Sequence, residues 1–296
     1  MTSSQISDQI RHAASALRTI RPAYSGILDF YEAVFIAQEE SKAQIALDPI
    51  LIPESMLSFK LKEKLPLLSM TDFKTDYAAT EALFRQIIEI AKQNRLPIAE
   101  NLPEVADIPL QSLSDALLNQ DQNYLQKISD IFALELQTLV FLLHNSLKPS
   151  LSICAEQLSS YLNKDSEWEK GYCPICGNLP CLSFFKDDGG RFLLCGFCDY
   201  QWQSFRIYCP FCENKEAQTL GYFYSEEERE YRTDICHKCK RYIKTIDTRQ
   251  LQRFFYPRLE EIVMLHLDIQ VNNADQTSVS QEYSLTEIYF SECRMP

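Results

Sequence analysis

Glycine is scarce in this chain: there are 7 in 296 residues, and none are spaced as Gly-x-Gly-x-x-Gly or as a Walker loop. That argues against the glycine-rich cradles by which many nucleotide-binding folds hold phosphate. Histidine is scarcer still, with four copies and no Ser/His/Asp or Cys/His constellation, so nothing points to nucleophilic catalysis. A basic excess is also missing. The net charge of −12 opposes encounter with nucleic acid and with anionic membranes. Long apolar runs are absent too: the most apolar, Ile131 to Leu143, is broken by Glu135, Gln137 and Thr138. It falls short of the roughly 20 residues that cross a bilayer. The first residues, MTSSQISDQIRHAASALRT, lack a basic segment followed by an apolar one, so no secretory signal is expected. The expectation is a soluble, cytoplasmic, non-enzymatic protein without membrane insertion.

What is abundant is cysteine, with 11 copies. In a reducing compartment such thiols serve metal binding more often than disulfides. Their placement divides the chain. Residues 1–168 read as helical. Ile27, Phe30, Tyr31, Val34 and Phe35 form an amphipathic stripe. Thr71-Asp72 is a candidate cap for a helix running to Asn94, and a third helix is expected from Asp121 to Ser146. Shorter helices are expected over 6–20 and 150–163. Prolines, among them Pro22, Pro66, Pro97, Pro103 and Pro149, mark the breaks. An all-α bundle of five to seven helices follows.

From about residue 169 the text turns aromatic and β-prone, as in Leu182-Ser-Phe-Phe, Arg191-Phe-Leu-Leu and Thr219-Leu-Gly-Tyr-Phe-Tyr. Basic and acidic residues balance over 169–249, so the rest of the chain carries the whole negative charge. A helical pattern returns over Leu251 to Leu267, ahead of a polar tail. The expected divisions are a helical domain (1–168), a first four-cysteine module (169–206), a second (207–249), and a C-terminal helix and tail (250–296).

The cysteine spacing is Cys173-x2-Cys176-x18-Cys195-x2-Cys198, then Cys209-x2-Cys212-x23-Cys236-x2-Cys239. A two-residue gap lets one tight turn aim both sulfurs at one ion, and the intervening stretch supplies a hairpin that brings a second turn opposite. Four thiolates then make a closed tetrahedral site for zinc or iron, which the spacing does not separate. Sequential pairing is the simpler arrangement; a crossed one, first pair with third and second with fourth, is the alternative. A closed site has no open coordination position, which speaks against hydrolysis by metal-bound water. Gly177 fits the turn after the first pair, whereas Asp199, Glu213 and Lys240 fill the same place after the others. A redox dithiol of the thioredoxin kind would need a βαβ setting, and none is evident.

Cys154 and Cys293 are isolated, and Cys181 lies just beyond a ligand pair; packing is the simplest reading of each. His144 and His266 sit in helical patterns, and His237 lies inside Cys236-His-Lys-Cys, where the paired thiols outcompete it. The segment Lys238 to Lys244 is locally basic with one aromatic, the sole hint of nucleic-acid binding.

At these residues the chain resembles the family of formate dehydrogenase accessory proteins FdhE. The resemblance is carried by Cys173-Pro-Ile-Cys-Gly-Asn-Leu-Pro180, Arg191-Phe-Leu-Leu-Cys-Gly-Phe-Cys-Asp-Tyr-Gln-Trp202, Arg206-Ile-Tyr-Cys-Pro-Phe-Cys-Glu213 and Cys236-His-Lys-Cys-Lys-Arg-Tyr-Ile-Lys244. Leu17-Arg-Thr-Ile-Arg-Pro22, Ile27-Leu-Asp-Phe30 and Ala37-Gln38 add to it. It implies an α-helical N-terminal domain followed by two rubredoxin-like modules. Each module would hold one ion, iron in the cell with zinc as the other candidate, through the eight paired cysteines. It also implies a cytoplasmic assembly role through binding of the formate dehydrogenase catalytic subunit. A redox or oxygen-sensing iron-thiolate protein is the alternative, a nucleic-acid-binding zinc ribbon the next, and self-association stays open.

Overall fold

The computed structural model describes residues 3–96, 108–162, 168–186 and 188–274. They form two compact units, one drawn from residues up to 50 and from 68 to 157, the other from 51–67 and from 158 onward.

The first unit is helical. α1 (Ser3–Ile20) buries Ile10, Ala13, Ala14 and Leu17, the three- and four-residue steps of one helix face. α2 (Ser25–Lys42) follows a single turn that starts at Pro22 and buries Leu28, Phe30, Val34, Phe35 and Gln38. Ile27 and Tyr31 of the expected stripe are half-buried at its margin. α4 (Tyr77–Gln93) buries Leu83, Phe84, Ile87 and Ile88. Its start corrects the sequence reading. Thr71 and Asp72 lie in a separate short turn, Phe73 is extended, and Asp76 is the cap, accepting from the Ala79 amide at 3.0 Å.

α5 (Leu110–Leu118) precedes a second correction, because the helix expected over 121–146 is two. α6 (Gln122–Ile131) is capped by Asp121, and α7 (Leu136–Ser159) runs on past Pro149. The break is a Schellman turn: Leu134 N–H donates to Ser129 C=O, and Ala133 N–H to Asp130 C=O. Ala133 sits there at φ 52°, where glycine is usual. Lys64, Arg95 and Gln120 close three other helices with the same pair of bonds, also at positive φ. With 7 glycines in the chain, ordinary residues occupy these turns, at about 1–2 kcal/mol each.

Pro149, read from the sequence as a breaker, sits inside α7. A proline there leaves the carbonyl four residues earlier without its amide donor. That carbonyl is Asn145, and Gln38 Nε2 of α2 donates to it at 2.8 Å. A side chain from a neighbouring helix thus replaces the bond that proline removes.

In the second unit, α3 (Glu54–Lys62) and the residues after it belong with the cysteine-rich region, although the sequence reading set them inside the helical stretch. Leu67 N–H donates to Pro174 C=O at 2.9 Å, and Tyr172 Oη to Lys64 C=O at 2.7 Å, which explains the grouping. Six strands follow: β1 (Pro180–Phe185), β2 (Arg191–Cys195), β3 (Gln201–Ser204), β4 (Leu220–Tyr224), β5 (Tyr231–Cys236) and β6 (Tyr242–Asp247). β1–β3 and β4–β6 are antiparallel meanders of the same plan. They merge into one sheet ordered β3-β2-β1-β6-β5-β4, joined by parallel pairing of Ser183, Phe184 and Phe185 with Thr245, Ile246 and Asp247. The expected C-terminal helix is two, α8 (Pro257–Val263) and α9 (Leu265–Ala274). Fully buried Glu260 of α8 accepts from the Tyr231 hydroxyl of β5 and from Arg253. Among the described residues no helix is long and apolar enough to cross a membrane.

Gln38→Leu is expected to destabilise the protein by about 1–3 kcal/mol in urea unfolding, because it strands the Asn145 carbonyl beneath a proline. In a Pro149→Ala background, where the helix amide returns, the same change should cost clearly less.

Candidate metal centres

Each four-cysteine cluster is assembled from two turns and the hairpin between them. The first turn, Cys173 to Gly177, is closed by Gly177 N–H to Cys173 C=O at 2.9 Å. Its exit is Cys173 N–H to Asn178 C=O at 2.8 Å. The same exit bond recurs from Cys195 to Tyr200, from Cys209 to Asn214 and from Cys236 to Arg241, each at 2.9 Å. The residue after each pair is left-handed: Gly177 (75°), Asp199 (60°), Glu213 (57°) and Lys240 (63°). All four pairs therefore fold into the same knuckle, whether or not glycine is present. The strand pairs β1–β2 and β4–β5 then carry the second knuckle of each module back to the first.

The sulfurs of Cys173, Cys176, Cys195 and Cys198 all lie within 4.8 Å of one another, and so do those of Cys209, Cys212, Cys236 and Cys239. The grouping is the sequential one, not the crossed one. The Sγ–Sγ distance is 3.7 Å for Cys173–Cys198 and 3.4 Å for Cys176–Cys195. It is 3.6 Å both for Cys209–Cys239 and for Cys212–Cys236. Four sulfurs about 2.3 Å from a central ion would stand about 3.8 Å apart in a regular tetrahedron. The donor sets therefore fit a zinc or iron ion in size and in chemistry.

Electrostatics point the same way. Burial pushes the Cys173 and Cys198 thiols well above their ordinary value, and neighbouring sulfurs add to the shift. Burial acts on Cys195 too, but hydrogen bonds from Cys173, Cys176 and Cys198 outweigh it and hold that thiol well below the usual range. In the second cluster burial raises Cys209, and raises Cys239 to about 11. Burial also opposes ionisation of Cys236, yet the amides of Cys239 and Lys238 bring it down to about 7. Thiols this close cannot all ionise in mutual company, so full ionisation of either quartet requires a cation.

The clusters differ in exposure. All four cysteines of the first are buried, whereas in the second Cys212 is exposed and Cys239 half-exposed. Two asparagines complete the sites, and sequence reasoning missed both. Asn178 donates to Cys176 Sγ at 3.5 Å and Asn214 to Cys236 Sγ at 3.6 Å, each from a buried position. The available signal was their shared offset, five residues after the first cysteine of each module. Gly171 matters for a different reason: a Cβ there would lie 1.7 Å from the Pro210 carbonyl oxygen, inside the third knuckle. The other sulfurs stand apart. Cys181 lies beside Glu261 and Arg258, and Cys154 is buried in α7 and donates to the Lys74 carbonyl. Cys293 lies outside the described residues. His237 packs against Gly221 and belongs to neither quartet.

A helical unit, together with a six-stranded sheet carrying two closed four-cysteine clusters, defines a two-centre metal-binding protein of the rubredoxin-like kind. The chain belongs to the FdhE family. A homologue of FdhE from Aquifex aeolicus is 30% identical over 251 residues, covering 83% of this chain and 81% of that protein. The profile described as "FdhE, central domain" matches residues 172–206, the first module. FdhE from Salmonella arizonae is 27% identical over 51% of this chain and 46% of its own length. The crystal structure of the FdhE protein from Pseudomonas aeruginosa has the same fold, with TM-score 0.62 at 17% identity over 94% of both chains.

Loaded with two ions per chain, the protein should release them to a chelator in two phases, the faster from the second cluster. Cys212→Ser should remove that phase, while Cys181→Ser should leave both, as read by a colorimetric release assay. Asn214→Leu should weaken the second ion roughly 10–100-fold in competition titrations, the usual loss when a neighbour that orients a ligand is removed.

Proposed function

We propose that this protein is a non-enzymatic assembly factor for formate dehydrogenase. It binds the catalytic subunit in the cytoplasm while its eight paired cysteines hold two metal ions, iron in the cell. The observation that carries the reading is the pair of closed four-thiolate clusters in a chain of the FdhE family. Four protein ligands leave no open position for substrate or activated water, so the ions shape and stabilise the modules rather than perform hydrolysis. Bound iron would add one chemistry, single-electron exchange through the thiolates. The chain's own contribution is to hold the eight sulfurs, donate hydrogen bonds to them from Asn178 and Asn214, and keep water from the first cluster. In the proposed division of labour the helical domain (1–168) docks the client, and the modules (169–206 and 207–249) hold the ions.

The test is retention of the formate dehydrogenase catalytic subunit by the tagged, anaerobically purified protein. Wild type should retain it. Cys173→Ser and Cys209→Ser should each lose one ion per chain and most of the retained subunit. Folded, two-ion wild type that retains no dehydrogenase subunit would sink the proposal.

A further inference from the structure

The second unit holds a cavity of about 250 Å³ beside the second cluster, whose Cys209 and Cys236 form part of its lining. It lies on one face of the sheet. Register pairs Tyr222 with Asp234, Asp234 with Ile243 and Leu220 with Cys236, so these side chains share that face. The segment from Arg206 to Phe211 forms the opposite wall.

Charge is what singles the cavity out. Four arginines line it (Arg191, Arg206, Arg232 and Arg241) against the single carboxylate of Asp234, in a chain of net charge −12. Asp234 is already engaged by Arg191, Arg232 and the Thr245 hydroxyl, at 3.1, 2.9 and 2.8 Å. Arg191 is buried and also holds the Tyr208 carbonyl, so its role is in the fold. Arg206 is different: it is exposed, and no carboxylate among the described residues pairs with it. A divalent ion in the adjoining cluster would leave four thiolates with two net negative charges, and the cavity would still carry a positive excess.

Aromatic rings back the arginines. Arg232 lies over the Tyr222 ring at 4.9 Å and over the Phe185 ring at 4.8 Å, and Arg206 lies over the same Phe185 ring at 5.5 Å. Stacking on a ring face leaves a guanidinium's N–H edge pointing outward, ready to grip an oxyanion in bidentate fashion. Arg249 also lies over Phe185, at 5.8 Å, and Arg232 engages Asp234 through Nε and Nη2, so Arg206 keeps its edge for an anionic head and Arg232 adds its remaining Nη1. Tyr222 is 60% exposed and Ile207 58%; Arg232 and Tyr224 stack on part of the Tyr222 ring, and the rest of it stands with Ile207 at the cavity mouth.

We propose that this cavity is a binding site for a small organic anion: a flat ring bearing a phosphate monoester, of mononucleotide size. The phosphate lies against Arg206 and Arg232, and the ring lies against Tyr222. The volume lies just below the roughly 300–1,000 Å³ of ligand pockets, which speaks against a dinucleotide or a folded peptide. Arginine edges take the part that glycine-rich loops play elsewhere, in keeping with a chain that has few glycines. The site stands independently of the assembly role.

The experiment is calorimetric titration of the full-length, two-ion protein with AMP and with phenyl phosphate, alongside adenosine and inorganic phosphate. At least one of the two phosphorylated rings should bind saturably below about 1 mM, and about 10-fold or more tighter than adenosine or phosphate alone. Arg206→Gln and Tyr222→Ala should each weaken that binding about 10-fold while metal content stays at two ions. Three results would overturn the site. One is no saturable binding of either ring phosphate, and another is inorganic phosphate binding as tightly as AMP. The third is binding that both variants leave unchanged.

Discussion

Four sulfurs crowded within 4.8 Å are unstable as anions unless a cation sits among them, and this chain makes that arrangement twice. A cation bound in each quartet would stabilise the second unit. Each quartet ties two knuckles and a hairpin, so the sulfur that closes a cluster also sets the register of the strands leaving it. An all-thiolate ion contributes roughly 10–16 kcal/mol of folding free energy to such a module. A bound ion would add to the hydrophobic interior that Leu182, Phe184, Leu193, Trp202 and Ile246 already form.

The second constraint is the shortage of glycine. Helix ends and knuckles both require a left-handed residue, and here Lys64, Arg95, Gln120, Ala133, Asp199, Glu213 and Lys240 supply it. Each carries local strain that surrounding bonds overcome: the paired Schellman bonds at helix ends and the exit bond at the knuckles. The strain is tolerable because it sits where the backbone is tied on both sides. Gly171 and Gly177 stand where a Cβ would clash, Gly171 against the Pro210 carbonyl and Gly177 against Pro66.

Much of this was legible in the sequence because it is periodic or local. The helical stripe of α2 and the β-prone segments follow from sequence pattern alone, and spacing favoured the sequential grouping of the cysteines while leaving the crossed one open. What was not legible depends on partners distant in the chain. The split between α6 and α7 hides behind a continuous apolar periodicity, because the left-handed residue that makes it is an alanine. Pro149 is tolerated through Gln38, more than 100 residues away. Residues 51–67 join the second unit through backbone bonds to Pro174 and from Tyr172, which no side-chain pattern announces. Asn178 and Asn214 are ordinary turn residues until their amides are found against sulfur.

The two modules also lose the independence that their separate cysteine sets suggest. β1 of the first pairs with β6 of the second, and Arg191 of β2 reaches across to the Tyr208 carbonyl and to Asp234 of β5. Tyr208 immediately precedes Cys209, so the same guanidinium that anchors the first hairpin also holds the entry to the second cluster. Release of the more exposed second ion would loosen the third knuckle against Arg191, and through it the sheet that supports the first. A buried arginine with fixed partners is costly to leave unpaired. An ion lost from the open cluster would therefore loosen the sheet beneath the closed one, whose four cysteines are buried. The sheet makes the pair asymmetric in exposure and linked in stability, a combination that two separate ribbons would not have.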